Sequence, residues 1–384
     1  MSLRRVLSAV GIGLMLCSAL LAGGCGPTTH VTCEAAVRLQ EILFADSATG
    51  IQAFFVNAGT GALTPMATTS DASLSRNITG NMVLSAQGKF LLVCDFTDTL
   101  IKVFSVDSTN GALAPVAGSP FAIGGAGGGS IALDPSGKFL YAAYGEGVAG
   151  FQFNSSTGEL TPLGGSPFSD GSVPNAVAAD PSGKFVYTTG STAKAGFSVY
   201  SLNSTTGALT PVAGSPFATP LANNPYNLAV IPTGGTVYAT VPSNNAVLGL
   251  SINGTTGVPS AVPGSPFAAI NSDMFLGLDP AGKFLYTCNE GNGEISAYTI
   301  NSSNGALSPI AGGPFGSNNC DTTVIVEPIN GQYLYAANPG ANAITGFSVN
   351  TATGALSMIS GSPFTATDAT LLAIAAYGVS ACGQ

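Results

Sequence analysis

The chain has 384 residues, 45% of them hydrophobic and only 8% charged, with 51 glycines, 24 prolines and no tryptophan. That balance excludes a disordered chain and points to turn-rich β structure. A formal net charge of −9 and a single histidine, His30, make nucleic acid and anionic lipid headgroups poor partners and a structural zinc site untenable.

The N-terminus reads as a targeting segment. Arg4 and Arg5 form a positive start, Val6 to Leu21 is apolar and uncharged, and Leu21-Ala22-Gly23-Gly24-Cys25 resembles a bacterial lipoprotein signal. The expected organisation is a signal peptide over 1–24, a tether over 25–33 with Cys25 lipidated, and one domain over 34–384. Gly26 is not the aspartate that retains such proteins at the inner membrane, so the expected location is the outer membrane or periplasm, the chain being secreted if the cysteine is not acylated. Loss of Arg4 and Arg5 leaves eight basic against nineteen acidic residues, a net of −11, so any membrane contact comes through the lipid alone.

After the tether, Glu41 to Asp46, Ile51 to Val56 and Leu63 onward read as three strands. Thr-Gly-Ala-Leu or a near copy then recurs about every 49 residues, placing glycines at Gly61, Gly111, Gly158, Gly207, Gly257, Gly305 and Gly354. Between these marks lie Asp134-Pro135-Ser136-Gly137, Asp180-Pro181-Ser182-Gly183 and Asp279-Pro280-Ala281-Gly282, a type I turn signature followed by Lys-Phe-Leu-Tyr or a variant. Gly-Ser-Pro-Phe closes most repeats, its proline ending a strand and its phenylalanine expected between blades. Asn-x-Ser/Thr triplets at Asn154, Asn203, Asn253 and Asn301 fall in turns and read as turn formers. Seven blade-sized repeats predict an all-β, seven-bladed β-propeller of four-stranded antiparallel blades. In the third blade the strands fit Gly129 to Leu133, Phe139 to Tyr144, Val148 to Phe153 and Leu160 to Pro162.

No innermost strand fits ahead of Glu41, whereas Leu371 to Ala376 matches that strand at the far end of the chain. The expectation is one blade shared by the two termini, with a Cys33–Cys382 disulfide locking the seam. Cys94 and Cys288 hold the same repeat position in blades that do not touch and cannot pair. Cys288 is within reach of Cys320 in the next blade, the alternative being free thiols.

The run Asp-Pro-Ser-Gly-Lys-Phe-Leu-Tyr, then Asn289-Glu290 before Ile295-Ser296-Ala297-Tyr298, then Asn-Gly-Ala-Leu and Gly-Ser-Pro-Phe resembles the lactonase-family propellers, which include bacterial 6-phosphogluconolactonases. The resemblance spans about 34 to 380. It implies the fold strongly and the activity weakly, because these motifs are turns and packing marks. Function belongs on the face carrying the D-to-A and B-to-C connections, which vary while the opposite face repeats. Candidates there are Arg76, Asn77, Asp95, Tyr144, Glu146, Asn175, Tyr226, Asn227, Asp273, Asp321 and Asn338. Opening a lactone needs a base and oxyanion donors. The resemblance implies His and Arg in a Pro-Arg-His segment, but this chain has Pro174-Asn175-Ala176, leaving Glu290 as the candidate base and Asn289, Asn175 or Asn227 as donors. Lys89, Lys138, Lys184 and Lys283 lie in turns of the opposite face, and only Arg76 and Lys194 serve this one, so a sugar phosphate is disfavoured. The first expectation is therefore a monomeric binding or scaffold module for a small-molecule, glycan or protein ligand. The alternative is a divergent lactonase acting through Glu290 on a non-phosphorylated sugar lactone. No cofactor or metal is expected, with Ca²⁺ at Asp95, Asp98 or Asp321 as an add-on.

Overall fold

In the computed structural model, seven four-stranded antiparallel sheets follow one another around a ring. The structure describes residues 37–47, 50–70, 81–95, 98–125, 128–145, 147–190, 196–221, 223–269, 273–289, 292–317, 320, 322–367 and 369–380. Blade 1 is the shared one: inner strand A is Leu372–Ser380, and strands B to D are Val37–Ser47, Gly50–Val56 and Leu63–Ser70. Blades 2 to 7 follow in chain order, each running A to D outward. Their B strands are Phe90–Asp95, Phe139–Tyr144, Phe185–Gly190, Thr236–Val241, Phe284–Asn289 and Tyr333–Asn338. In blade 3 the strands are Gly128–Leu133, Phe139–Tyr144, Gly147–Phe153 and Leu160–Pro162, within two residues of expectation.

The repeated glycines mark the seams between blades. Each lies in a C-to-D turn with φ between +70° and +81°, where a β-carbon is strained, and each faces the preceding blade. A β-carbon on Gly158 would stand 2.8 Å from the Phe90 ring, and one on Gly257 2.8 Å from Phe185. The phenylalanine opening strand B thus needs the glycine of the next blade. Two residues further on, Tyr141, Tyr238, Tyr286 and Tyr335 donate across the seam to the carbonyl oxygens of Gly207, Gly305, Gly354 and Gly61 at 2.6–2.9 Å. These tyrosines are fully buried, so each hydroxyl must find a partner, and the seam supplies it.

The turns are built as their residues demand. Asp134 Oδ1 accepts from the amides of Lys138 and Phe139 at 2.8 and 2.7 Å, and Asp279 serves Lys283 and Phe284 in the same way. Asn154, Asn203, Asn253 and Asn301 each accept the amide two residues on, at 2.9–3.0 Å. Gly-Ser-Pro-Phe forms a hook. Its proline is cis, its phenylalanine pairs back onto strand C of the same blade, and in blades 3, 5 and 7 the ring covers a strand C glycine (Gly150, Gly249, Gly346). The ring also packs between blades, as expected: Phe168 shares a cluster with Phe139 of blade 3 and with Val177 and Tyr200 of blade 4, and Phe217 and Phe267 pack against the clusters between blades 4 and 5 and between blades 5 and 6.

The termini meet as expected. The carboxylate of Asp46 accepts from the Thr370 amide at 2.8 Å, the Thr370 hydroxyl at 2.6 Å and the Leu371 amide at 2.6 Å. In the same strand Glu41 pairs with Val56 and immediately precedes Ile42, which takes the register position held elsewhere by phenylalanine, pairing with Phe55 as Phe90 pairs with Ser105. Glu41 faces Glu327 of blade 7. Burial, then the hydrogen bond and charge of Glu327, push its carboxyl up to about 9, so it is protonated at neutral pH. Cys25, Cys33 and Cys382 lie outside the described residues. Residues 38–379 pack as one compact unit, and no helix among the described residues is long and apolar enough to cross a membrane.

Candidate binding face

The B-to-C and D-to-A connections share one face because strands alternate in direction. What a side chain does there depends on where its strand ends. The last residue of strand B in blades 2, 6 and 7 is Asp95, Asn289 or Asn338. All three, expected at the mouth of the channel, are instead fully buried within their blades. The reason lies seven residues on, where strand C supplies a polar partner. Lys102 Nζ stands 3.3 Å from Asp95 Oδ2, Ser296 Oγ exchanges hydrogen bonds with the Asn289 amide at 3.1–3.2 Å, and Thr345 pairs with Asn338. Burying a polar group is tolerable when it is paired, and Asp95, Asn289 and the Nδ2 of Asn338 meet that condition inside the sheet, while Asn338 Oδ1 is buried without a partner among the described residues. Lys102 is the partner that sequence reasoning passed over; a polar residue seven positions after a polar strand end was the available signal. Tyr144 is likewise buried, against Gly125.

The residues that do reach the mouth sit where inner strands begin. Asn175 opens blade 4, with Gly129 of blade 3 so close to its carbonyl that no β-carbon fits between them. Tyr226 and Asn227 precede the inner strand Leu228–Val230 of blade 5, and their backbones pair with Thr240. Phe275 of blade 6 meets Tyr226 edge-on, with ring centres 6.2 Å apart. All four side chains are half-buried. Among the described residues the amides of Asn175 and Asn227 make no hydrogen bond, and Asn224 Oδ1, in the same Asn223-Asn224-Pro225-Tyr226-Asn227 run, is buried without a partner. Phe275 and Asn224 were missed in the sequence, although an asparagine-rich run before an inner strand is legible. Across three adjacent blades the arc therefore offers two aromatic rings and the amides of Asn175 and Asn227.

Elsewhere on this face Asp170 accepts from the hydroxyls of Ser172 and Ser215 at 2.6 and 2.8 Å. Burial works to raise its carboxyl, but the serine hydroxyls outweigh burial and hold it below the ordinary value. Arg76, Asn77, Glu146, Lys194, Glu290 and Asp321 lie outside the described residues, and of Asp273 only the backbone is described. Among the described residues no three His, Cys, Asp or Glu side chains come together as a metal site. On the opposite face Lys89 and Lys184 reach across seams to the carbonyls of Ser156 and Gly254 at 2.9 and 3.4 Å.

A family model described as lactonase, 7-bladed beta-propeller, matches residues 48–167, 118–223 and 276–368. The chain belongs to the lactonase family of seven-bladed β-propellers. Solved structures agree on the fold of this lactonase-family chain. One, a candidate 6-phosphogluconolactonase from Bacteroides fragilis, superposes with a TM-score of 0.73 at 19% identity, over 87% of this chain and 98% of that one. The periplasmic gluconolactonase PpgL of Pseudomonas aeruginosa gives 0.71 at 15% identity, over 88% and 99%. A protein from Lactobacillus plantarum gives 0.66 at 20% identity, over 88% and 99%. A comparison with curated protein sequences found no match. Within this lactonase-family ring the Cys288–Cys320 disulfide is formed, and Cys94 is buried and free, its thiol pushed up to about 12 by burial and then by the charge of Asp95.

Proposed function

We propose that this chain is an exported binding module that holds a neutral saccharide at the mouth of its propeller, between blades 4 and 6. The observation that carries the proposal is the arc of Asn175, Tyr226, Asn227 and Phe275. Unpaired amides beside half-buried rings are the composition of a pocket that orients a polar, uncharged ligand: rings supply contact area, amides supply direction. The Arg4-Arg5 start, the apolar run to Leu21 and Cys25 support export and lipid anchoring at the cell envelope. The experiment is a thermal-shift and calorimetric screen of neutral sugars and sugar lactones. A hit should be lost in Tyr226→Ala and in Asn227→Ala, both with wild-type melting temperatures; a hit that persists in both variants rejects this arc.

Family membership favours a second reading, hydrolysis of a non-phosphorylated sugar lactone with Glu290 as base. One observation weighs against its simplest form. Asn289, one of the three candidate donors, already spends its amide on Ser296 inside the blade, which leaves that role to Asn175 or Asn227. Hydrolysis of glucono-1,5-lactone above the uncatalysed rate, abolished by Glu290→Gln, would replace binding with catalysis; no enhancement by the wild type keeps binding.

A further inference from the structure

The Cys288–Cys320 bond joins two parts of the mouth that no other covalent link connects among the described residues. Cys288 is the fifth residue of strand B in blade 6, and Cys320 lies in the connection that leaves this blade for the inner strand Val324–Val326 of blade 7. Their α-carbons are 5.5 Å apart and both residues are buried. The same connection is tied at two further points. The amide and hydroxyl of Ser317 donate to the Gly293 carbonyl, in the B-to-C turn of blade 6, at 3.0 and 2.8 Å. The Ser317 carbonyl accepts from Asn338 Nδ2 at 3.0 Å and from the Thr345 hydroxyl at 2.8 Å, both in blade 7. The Cys320 amide closes the circuit onto Ser317 Oγ at 3.0 Å.

Blade 2 provides an internal comparison. Cys94 occupies the position of Cys288, equally buried, but has no partner. A cysteine at this strand position therefore packs without a bond, and the bond in blade 6 serves the connection rather than the strand.

We infer that Cys288–Cys320 is an oxidation-dependent latch that orders the blade 6 to blade 7 arc of the mouth, so that this arc is completed only in an oxidising compartment. The idea rests on the reading of this face as the binding face. In forming the bond the two thiols give up two protons and two electrons to an oxidised dithiol, whose own disulfide is reduced to two thiols. Without the bond, the connection between the Phe315–Gly316 pairing onto strand C and the Thr323 bonds to Ala337 and Thr370 is held around Ser317 by hydrogen bonds, and these rupture by local opening.

Hydrogen exchange followed by mass spectrometry on the full chain tests this without any ligand, so failure to find a saccharide leaves the test intact. The samples are air-oxidised wild type, wild type reduced with tris(2-carboxyethyl)phosphine, Cys320→Ser, and Cys94→Ser as control. Reduction and Cys320→Ser should speed exchange about tenfold over 292–293, 316–317, 320 and 338–345, with Phe139–Tyr144 and Phe185–Gly190 unchanged and Cys94→Ser silent. Unchanged exchange in the arc overturns the latch, and so does a uniform rise in all blades, which would make the bond a general staple. If Cys320→Ser fails to fold, the reduced wild type decides.

Discussion

Thr370 gives both its amide and its hydroxyl to the carboxylate of Asp46, a residue 324 positions earlier in the chain. These bonds, with that from Leu371, hold the inner strand of blade 1 to the strand that begins the ring. Removing the acceptor leaves buried donors without partners, each costing about 1–3 kcal/mol. Asp46→Ala should therefore destabilise the fold by roughly 3 kcal/mol or more, and Thr370→Val by about half as much. Denaturant unfolding of the two variants checks this, and equal losses would mean that the hydroxyl, not the pair of amides, carries the clasp.

Two buried carboxyls on strand B of blade 1 make stability depend on pH in an unusual direction. Burial raises Asp46 from 3.8 to about 6 against its hydrogen bonds, and burial with Glu327 raises Glu41 from 4.5 to about 9. Between the ordinary and the raised value the folded state binds more protons than the unfolded state, so stability falls as pH rises. The contribution of each is full below its ordinary value and gone above its raised one. From pH 6 to 9 the slope belongs to Glu41. Glu41→Gln should keep its melting temperature more nearly level across that range than the wild type does; parallel slopes would place the titrating group elsewhere.

The glycines at the seams carry a third prediction. At Gly158 a β-carbon meets both a φ of +81° and the Phe90 ring. Gly158→Ala should cost about 1–3 kcal/mol, whereas Gly137→Ala, also at positive φ (+65°) but with nothing within 4 Å, pays only the backbone term of about 1 kcal/mol. Comparing the two melting curves separates packing from conformation.

The ring was legible in the sequence because its determinants are local. Glycine at positive φ, aspartate ahead of proline and asparagine in a turn announce themselves at fixed spacing, and the missing first strand ahead of Glu41 announced the shared blade. The face was legible only as a face. Asp95, Asn289 and Asn338 look like loop residues until Lys102, Ser296 and Thr345 are seen opposite them, and that is a cross-strand relation that a linear reading does not weigh. Asn175, Tyr226 and Asn227 were found because they precede inner strands. Phe275 escaped because its role comes from Tyr226 in the neighbouring blade.

The most direct test of the account is calorimetric titration of the wild type and of Tyr226→Ala with whichever neutral saccharide gives the largest thermal shift. The account predicts a single site, insensitive to salt because no ion pair forms, weakened at least about tenfold by removing the ring, which corresponds to about 1.4 kcal/mol. Equal affinity in both proteins would contradict it, as would binding that falls steeply with ionic strength.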